Sequence, residues 1–276
     1  MDKETWLLWL LADSQLPTGG FVASAGLEAA LQAGLVSESA AEGASNSLTE
    51  FIRDSAHNQA RFALPFCSRA YEETAVRLAQ ASGDNNAAYD SATMTSLLKE
   101  FLDLDSYHHA MLSSNKVAMR ASVAQGGGLL SLFIRGYALA ECMSDRRGQA
   151  YVSVAKQLQR LARLGEAKAH WPTVFGFVCA ALGISLAHTQ QLYMFQFVRQ
   201  VFSAAIRLNL VGPLRAQMLE CDMHPYVSAL LKDNAHLRVE FSSLDDLFGE
   251  SAVYTEPILE LYQGMHDRLY SRIFNS

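Results

Sequence analysis

The sequence predicts an all-α fold, a single globular bundle of about ten helices that covers residues 1–276. Apolar residues recur at steps of three and four along most of the chain, which is the spacing of one face of an α-helix. Residues 237–241 alternate between apolar and polar, which is typical of a half-buried strand. A lone strand has no partner for its backbone hydrogen bonds, so we interpret these residues as an extended segment. Half of the 276 residues are apolar, so the chain can bury a large core.

Helix-breaking residues divide the first half of the chain. The apolar run at 6–11 predicts the first helix, and Gly34 ends a second helix that begins near Ser24. Pro65 lies inside a long helical pattern and should kink or split that helix, and residues 82–86 are the clearest loop. Three segments of the chain have apolar residues on one face at helical spacing. They are Leu48, Phe51, Ile52 and Ala56; Met94, Leu97, Leu98 and Phe101, with Ser91 as the N-cap; and Val152, Ala155, Leu158 and Ala162.

The second half of the chain is divided in the same way. Pro172 suits the first turn of a helix, Gly183 suits its end, and the Gly-Pro pair at 212–213 separates two further helices. From about residue 243 a less regular tail leads to a last helix at 257–273. The three glycines at 126–128 either let two helices approach closely or break one helix into two.

Composition excludes several classes of protein. A net charge of −6, with no run of Lys or Arg, argues against nucleic-acid binding. The four cysteines form no CxxC pair, which is typical of a reducing compartment, and the N-terminus lacks the basic segment of a signal peptide. Residues 171–198 contain no charged side chain, but Pro, Gly, His and Gln interrupt them, so a buried helix is favoured over a membrane span. We therefore expect a cytoplasmic protein without a membrane partner.

Enzyme signatures are missing from the chain. It contains no GxxxxGK[ST] phosphate loop, no HExxH metal motif and no GxSxG nucleophile elbow. No two histidines lie three or four residues apart, and the adjacent His108 and His109 point about 100° apart on a helix. Asp103 and Asp105 are interpreted as part of a solvated face. We expect no catalytic residue, no metal site and no cofactor; the alternatives are an all-helical small-molecule enzyme and a membrane-associated protein built around residues 171–198.

Residues 16–28 are the most informative segment, because they combine a tight turn with a helix start. Pro17 fixes φ, Gly19 and Gly20 tolerate positive φ, Ser24 can cap a helix, and Gly26 permits close backbone contact. Two interpretations stay open at this point. The segment is either a connector packed against the first helix or an exposed loop that presents Phe21 to a partner.

Five segments, in chain order, resemble the UreF family. Residues 10–14 and 16–28 match an apolar helix followed by Leu-Pro-(Val/Thr)-Gly-(Gly/Ser)-Phe and Ser-x-Gly-Leu-Glu. Residues 120–130 resemble the central Arg, Ser, Gly and Leu helix, and residues 170–176 resemble His-x-Pro-x-x-(Phe/Tyr)-Gly. Residues 203–208 resemble (Ser/Asn)-Ala-Ala-(Val/Ile)-Arg-Leu, and residues 265–276 resemble the terminal His-(Glu/Asp)-x-x-Tyr-Ser-Arg-Leu-Phe motif. The matches run over nearly the whole chain.

The resemblance implies a non-enzymatic chaperone for urease maturation. Such an adaptor binds the UreD scaffold (also called UreH), recruits and regulates the UreG GTPase, forms a homodimer within the complex, and assists nickel insertion into apo-urease. We expect two partner-binding surfaces, the 17–28 loop and the C-terminal helix, while Arg207 either orders the interface or pairs with a carboxylate inside the bundle. The expected partner-binding residues are Pro17, Gly19, Gly20, Phe21, Ser24, Gly26, Glu28, Arg207, His266, Arg268, Tyr270, Arg272 and Phe274.

Overall fold

A computed structural model describes residues 1–13, 15–37, 42–81, 91–140, 143–240 and 252–276. These residues contain α-helices, short 3-10 turns and no β-strand, which confirms the all-α prediction. The predicted loop at 82–86 and the first part of the tail, 243–251, lie outside the described residues. The α-helices are α1 (Lys3–Ala12), α2 (Leu27–Gln32), α3 (Glu42–Phe62), α4 (Leu64–Ala81), α5 (Ser91–Met111), α6 (Lys116–Arg135), α7 (Arg146–Leu164), α8 (Trp171–Leu182), α9 (Leu186–Arg207), α10 (Pro213–Asn234) and α11 (Pro257–Met265).

Contacts between residues divide the chain into two compact units. The first unit comprises Met1–Thr18, Phe66–Met111 and Ser122–Thr189. The second unit comprises Gly19–Pro65, Leu112–Ala121 and Gln190–Ser276. The expectation of one domain over residues 1–276 stays a prediction.

The helix breakers act where the sequence predicts. The helix that contains Pro65 is split at Ala63, where α3 has ended and α4 has not begun. Pro172 lies in the first turn of α8, and Gly183 ends that helix with a φ of 80°. Gly212 caps α10, which begins at Pro213. An N-cap residue precedes its helix, whereas Ser91 is the first residue of α5. The side chain of Ser91 lies outside the described part of the structure.

The last helix is shorter than the predicted 257–273. Helix α11 ends at Met265, a 3-10 turn follows at His266–Arg268, and the backbone is extended at Leu269. Main-chain N–H groups near the chain end donate to partners that are distant in the sequence. Those of Ile273 and Phe274 donate to the Glu28 side chain, and that of Asn275 donates to the carbonyl oxygen of Val22. These long-range bonds replace the helical bonds that the sequence pattern suggested.

Helix α8 forms the centre of the first unit, since every residue from Pro172 to Leu182 is buried. The Phe177 ring contacts the rings of Phe101, Phe133 and Tyr151 at centroid distances of 6.3, 5.9 and 6.3 Å. The uncharged stretch at 171–198 is not one continuous helix, because it is interrupted at Gly183, and α8 is too short to span a bilayer. In the described residues one stretch, Lys116–Leu139, is long and apolar enough to cross a membrane, which by itself is weak evidence for a span.

The glycines at 126–128 lie inside the continuous helix α6, so they do not break it. A Cβ atom on Gly126 would overlap the carbonyl oxygen of Ala169, and one on Gly128 would lie 2.8 Å from the carbonyl oxygen of Thr18. A Cβ atom on Gly127 would meet nothing within 4 Å. Two of the three glycines therefore permit close backbone approach, which is the first of the two expected roles.

Replacing Gly126 by alanine should lower the free energy of unfolding by about 1–3 kcal/mol, because the new methyl group must displace backbone. Alanine at Gly127 is the matched control, since the same exchange in open space should stabilise the helix by up to about 1 kcal/mol. Urea denaturation followed by circular dichroism would measure both variants. Equal stability of the two variants would contradict the close approach.

Candidate functional site

Glu28 connects the start of α2 to the end of the chain within the second unit. Its side chain is 2% exposed, and both carboxylate oxygens accept hydrogen bonds from residues 266–276, which we call the C-terminal segment. Oε1 accepts a hydrogen bond of 2.6 Å from the main-chain N–H of Ile273. Oε2 accepts one of 3.1 Å from the main-chain N–H of Phe274 and one of 3.0 Å from Nε2 of the His266 side chain. Donors thus surround the buried carboxylate on both oxygens, as burial of a charge requires.

The turn before α2 holds the last residues of the chain. The main-chain N–H of Ser24 donates to the main-chain oxygen of Ser276 at 2.6 Å, and the Ser24 hydroxyl donates to the same oxygen at 3.1 Å. Gly26, with a φ of 87°, occupies the N-cap position of α2, so the predicted capping role of Ser24 is wrong. Its hydroxyl binds the C-terminal segment instead of a helix N–H.

Side chains on α11 and near the start of α6 extend the same contact. A Cβ atom on Gly26 would lie 3.0 Å from the Cβ atom of Gln263, so only glycine fits there without displacement. The Gln263 amide oxygen accepts a bond of 3.0 Å from Asn115, which is 1% exposed. Arg120 forms two bonds of 2.7 Å to the carboxylate of Asp267, and these bonds lower the pKa of Asp267 below its usual value.

Arg207 lies between two aromatic rings of the second unit. Its guanidinium carbon is 4.2 Å from the centroid of the Phe274 ring and 6.0 Å from that of Phe21. Its Nε donates to the carbonyl oxygen of Ser203, and partial burial lowers the pKa of the guanidinium. No ion pair joins it to a carboxylate of the described residues. A role of Arg207 in ordering a partner interface stays a prediction.

The predicted partner-binding residues fall into three groups according to their exposure. The buried residues are Ser24 and Glu28, which bind the C-terminal segment, His266 and Phe274, which belong to it, and Gly26, which lies against Gln263. Gly19, Gly20 and Arg207 are partly exposed. Pro17, Phe21, Arg268, Tyr270 and Arg272 are exposed; Pro17 belongs to the first unit and the other four to the second. Phe21 is 64% exposed and Tyr270 fully exposed, so both rings can contact another protein. The partner-binding role of each residue stays a prediction.

Sequence reasoning missed part of this surface. Helix α11 has no buried residue, and Ile258, Leu261 and Met265 are 61%, 69% and 44% exposed at helical spacing. Their spacing gave a signal, but the sequence does not show that this apolar stripe faces solvent. A cavity of about 730 Å³ opens on the same unit, between Glu28, Arg207, Asn209 and Arg272. The second unit therefore presents exposed apolar groups and a cavity that the C-terminal segment partly lines.

A cluster of histidines in the first unit is the other concentration of polar side chains. Asp105, 1% exposed, accepts the main-chain N–H groups of Lys168, Ala169 and His170 at 2.7, 2.9 and 2.8 Å. The His170 ring lies 3.1 Å from the Ser122 hydroxyl through Nδ1 and 3.0 Å from His109 through Nε2. The carboxylate thus orders the turn that leads into α8.

Burial favours the neutral form of two histidines of this cluster, His108 and His170. Burial lowers the pKa of His170 to about 4, although the nearby carboxylate of Asp105 opposes this, and burial also lowers the pKa of His108. The adjacent imidazoles of His109 and His170 can therefore share a hydrogen bond without repulsion. Among the described residues, no three His, Cys, Asp or Glu side chains are arranged to hold a metal ion.

Comparison with known proteins identifies relatives along almost the whole chain. The chain is 32% identical to "Urease accessory protein F" of Oryza sativa subsp. indica over 273 residues, which cover 98% of this chain and 84% of the relative. It is 30% identical to "Urease accessory protein F" of Arabidopsis thaliana, with coverage of 98% and 92%. It is 27% identical to "Urease accessory protein 6" of Cryptococcus neoformans var. grubii, with coverage of 99% and 98%.

The model of one protein family, UreF, matches residues 43–224. The turn before α2 and the C-terminal segment lie outside that match, but the alignments with the plant relatives cover 98% of the chain. The match includes the histidine cluster, Arg120 and Arg207. The chain belongs to the UreF family.

Proposed function

We propose that the chain is a urease accessory protein that works as a non-enzymatic adaptor in the cytoplasm. In this proposal it binds the UreD (UreH) scaffold, recruits and regulates the UreG GTPase, forms a homodimer within the complex, and assists nickel insertion into apo-urease. Membership of the UreF family and the names of the relatives support the urease role. The observation that supports the adaptor role is that Glu28 joins parts of the two predicted partner surfaces, residues 19–28 of the 17–28 loop and the C-terminal segment that follows α11.

The surface has the character of a protein-binding site. Phe21 and Tyr270 are exposed aromatic residues, a class that is enriched at protein interfaces, and Leu261 adds exposed apolar surface on the same unit. The buried bonds to Glu28 hold the C-terminal segment in one conformation before any partner arrives. Such order lowers the entropy that a flexible segment would lose on binding.

Co-purification tests the adaptor proposal directly. The tagged chain would be expressed with its cognate scaffold and GTPase, with GTP and nickel present, and analysed by size-exclusion chromatography with light scattering. A defined complex of all three proteins is the expected result. A folded chain that elutes alone, beside partners shown to bind one another, would exclude the adaptor role.

Replacing both Phe21 and Tyr270 by alanine should weaken scaffold binding by about 10- to 100-fold, because two exposed anchor rings are lost. The fold should be unchanged, since exposed side chains contribute little to stability. Titration calorimetry with purified scaffold measures the affinity, and circular dichroism checks the helical content. Leu139→Ala is the matched control: Leu139 is 81% exposed but lies in the first unit, so its replacement should leave the affinity unchanged. Equal affinity of both variants would remove this surface from the scaffold interface.

A further inference from the structure

The cavity beside Arg207, which lies within the second unit, has the size of a small-molecule site. It is lined by Glu28 at the start of α2, by Arg207 at the end of α9 and by Arg272 in the C-terminal segment. Its volume of about 730 Å³ lies within the range of about 300–1,000 Å³ that is typical of ligand pockets. The chemistry of its lining therefore indicates which ligand it fits.

The guanidinium of Arg207 has hydrogen-bond donors that no described residue accepts. Its Nε donates to the carbonyl oxygen of Ser203, and its guanidinium carbon lies 4.2 Å from the centroid of the Phe274 ring. Nη2 is buried and has no acceptor among the described residues. A buried donor without an acceptor costs free energy, so a ligand oxygen that reached this end of the guanidinium would remove that cost.

The charges that line the cavity favour a negatively charged ligand. Arg207 and Arg272 contribute two positive charges, and Glu28 contributes one negative charge. Three donors already bind the Glu28 carboxylate, so it does not serve Arg207 as an acceptor. Arg272 lies 3.2 Å from Asp267, but this ion pair is exposed and therefore weak. The positive charge of Arg207 is thus the one that a ligand in the cavity would neutralise.

The rest of the lining indicates what carries the anionic group. Asn209 is exposed, and its side-chain amide can donate to a second ligand oxygen. Leu31, Val36 and Leu208 add apolar surface to the cavity. A single carboxylate side chain of a partner protein would fill only a small part of this volume. The cavity fits a small organic molecule that has both an anionic and an apolar part.

We propose that the cavity binds a small organic anion, in which a carboxylate or phosphate group is joined to an apolar part. The anionic group contacts Arg207, with Arg272 and Asn209 beside it, and the apolar part lies against Val36 and Leu208. The proposal goes beyond the adaptor role and does not depend on the scaffold or the GTPase.

Titration calorimetry of the full chain with phenyl phosphate and with benzoate tests the proposal, because each probe joins an anionic group to an apolar ring. At constant ionic strength, at least one probe should bind at one site per chain with a dissociation constant below about 1 mM. Inorganic phosphate, which lacks the ring, and phenol, which lacks the charge, should bind at least about 10-fold more weakly. Absence of binding by both probes, or equal binding of phenol, would overturn the proposal.

Variants locate the bound probe. Arg207→Gln should weaken binding at least about 10-fold, because it removes the charge and the donors that face the anion. Arg163→Gln is the matched control: it removes the same charge at an exposed position of the first unit, so the affinity should be unchanged.

A second variant keeps the test decisive if Arg207→Gln fails to fold, which circular dichroism would show. Asn209→Asp places a negative charge in the cavity and should also weaken binding at least about 10-fold. Aspartate tolerates the φ of 58° at this position, so the backbone should be unchanged. A folded variant of either kind that binds the probe as tightly as the unchanged chain would overturn the assignment of the site.

Discussion

Replacing Glu28 by alanine should release the C-terminal segment and abolish capture of the scaffold. The change removes the acceptor of three hydrogen-bond donors. These donors are the main-chain N–H groups of Ile273 and Phe274 and Nε2 of His266. The side chains of His266 and Phe274 are 0% and 3% exposed, so water cannot replace the carboxylate without rearrangement. We expect the free energy of unfolding to fall by about 3–5 kcal/mol, the usual cost of leaving buried polar partners unsatisfied.

Hydrogen exchange distinguishes release of the segment from general destabilisation. In Glu28→Ala the amides of residues 273–275 should exchange much faster, while those of α8 should be less affected. Glu28→Gln keeps one acceptor oxygen and should lose only about half as much stability. Glu166→Ala, at an exposed position of the first unit, is the matched control and should change stability by less than about 0.5 kcal/mol. Unchanged protection at 273–275 in Glu28→Ala would show that Glu28 does not hold the segment.

The contrast between Pro65 and Glu28 shows how much of the fold the sequence determines locally. Pro65, Pro172 and Gly183 act on their own turn of backbone, so helix ends near them were predictable from the chain alone. Glu28 acts on residues 238 positions away, at His266. In the sequence it is indistinguishable from any acidic residue in the first turn of a helix, because no local pattern records its distant partners.

Some members of the candidate site were predictable from the sequence, but their burial was not. The motifs at 16–28 and 265–276 identified both halves of the site, since each contains unusual turn and aromatic residues. Sequence spacing could not show that Glu28 and His266 are buried while Phe21 and Tyr270 are exposed. Burial depends on which surfaces contact each other in the fold, and a single sequence does not show those contacts.

The burial of Asp105, in the first unit, was also not predictable from the sequence. The sequence suggests that Asp103 and Asp105 belong to one solvated face, and Asp103 is indeed exposed. The interpretation is wrong for Asp105, which is 1% exposed and accepts three main-chain N–H groups from residues 168–170. Two residues along a helix turn the side chain by about 200°, so neighbouring carboxylates can have opposite surroundings. Only the distant 168–170 turn reveals which of the two faces inward.

Replacing Asp105 by alanine should therefore destabilise the protein far more than the same change at Asp103. The turn at 168–170 would lose the acceptor for three N–H groups, and Ala169 holds a φ of 58°, a strained conformation for a residue with a side chain. We expect a loss of about 3–5 kcal/mol for Asp105→Ala. The matched Asp103→Ala should change stability by less than about 0.5 kcal/mol, because the ion pair of Asp103 with Lys99 is exposed.

Asp105→Asn separates the role of charge from that of hydrogen bonding. Asparagine keeps one acceptor oxygen but places an NH₂ group where Asp105 has its second, so at least one of the three N–H groups faces a donor. Its stability should fall between those of the alanine variant and the unchanged chain. Urea denaturation of the four proteins gives the order. If Asp105→Ala were as stable as Asp103→Ala, the carboxylate would not hold the turn, and the start of α8 would have to be fixed by the packing of Trp171 and Pro172 alone.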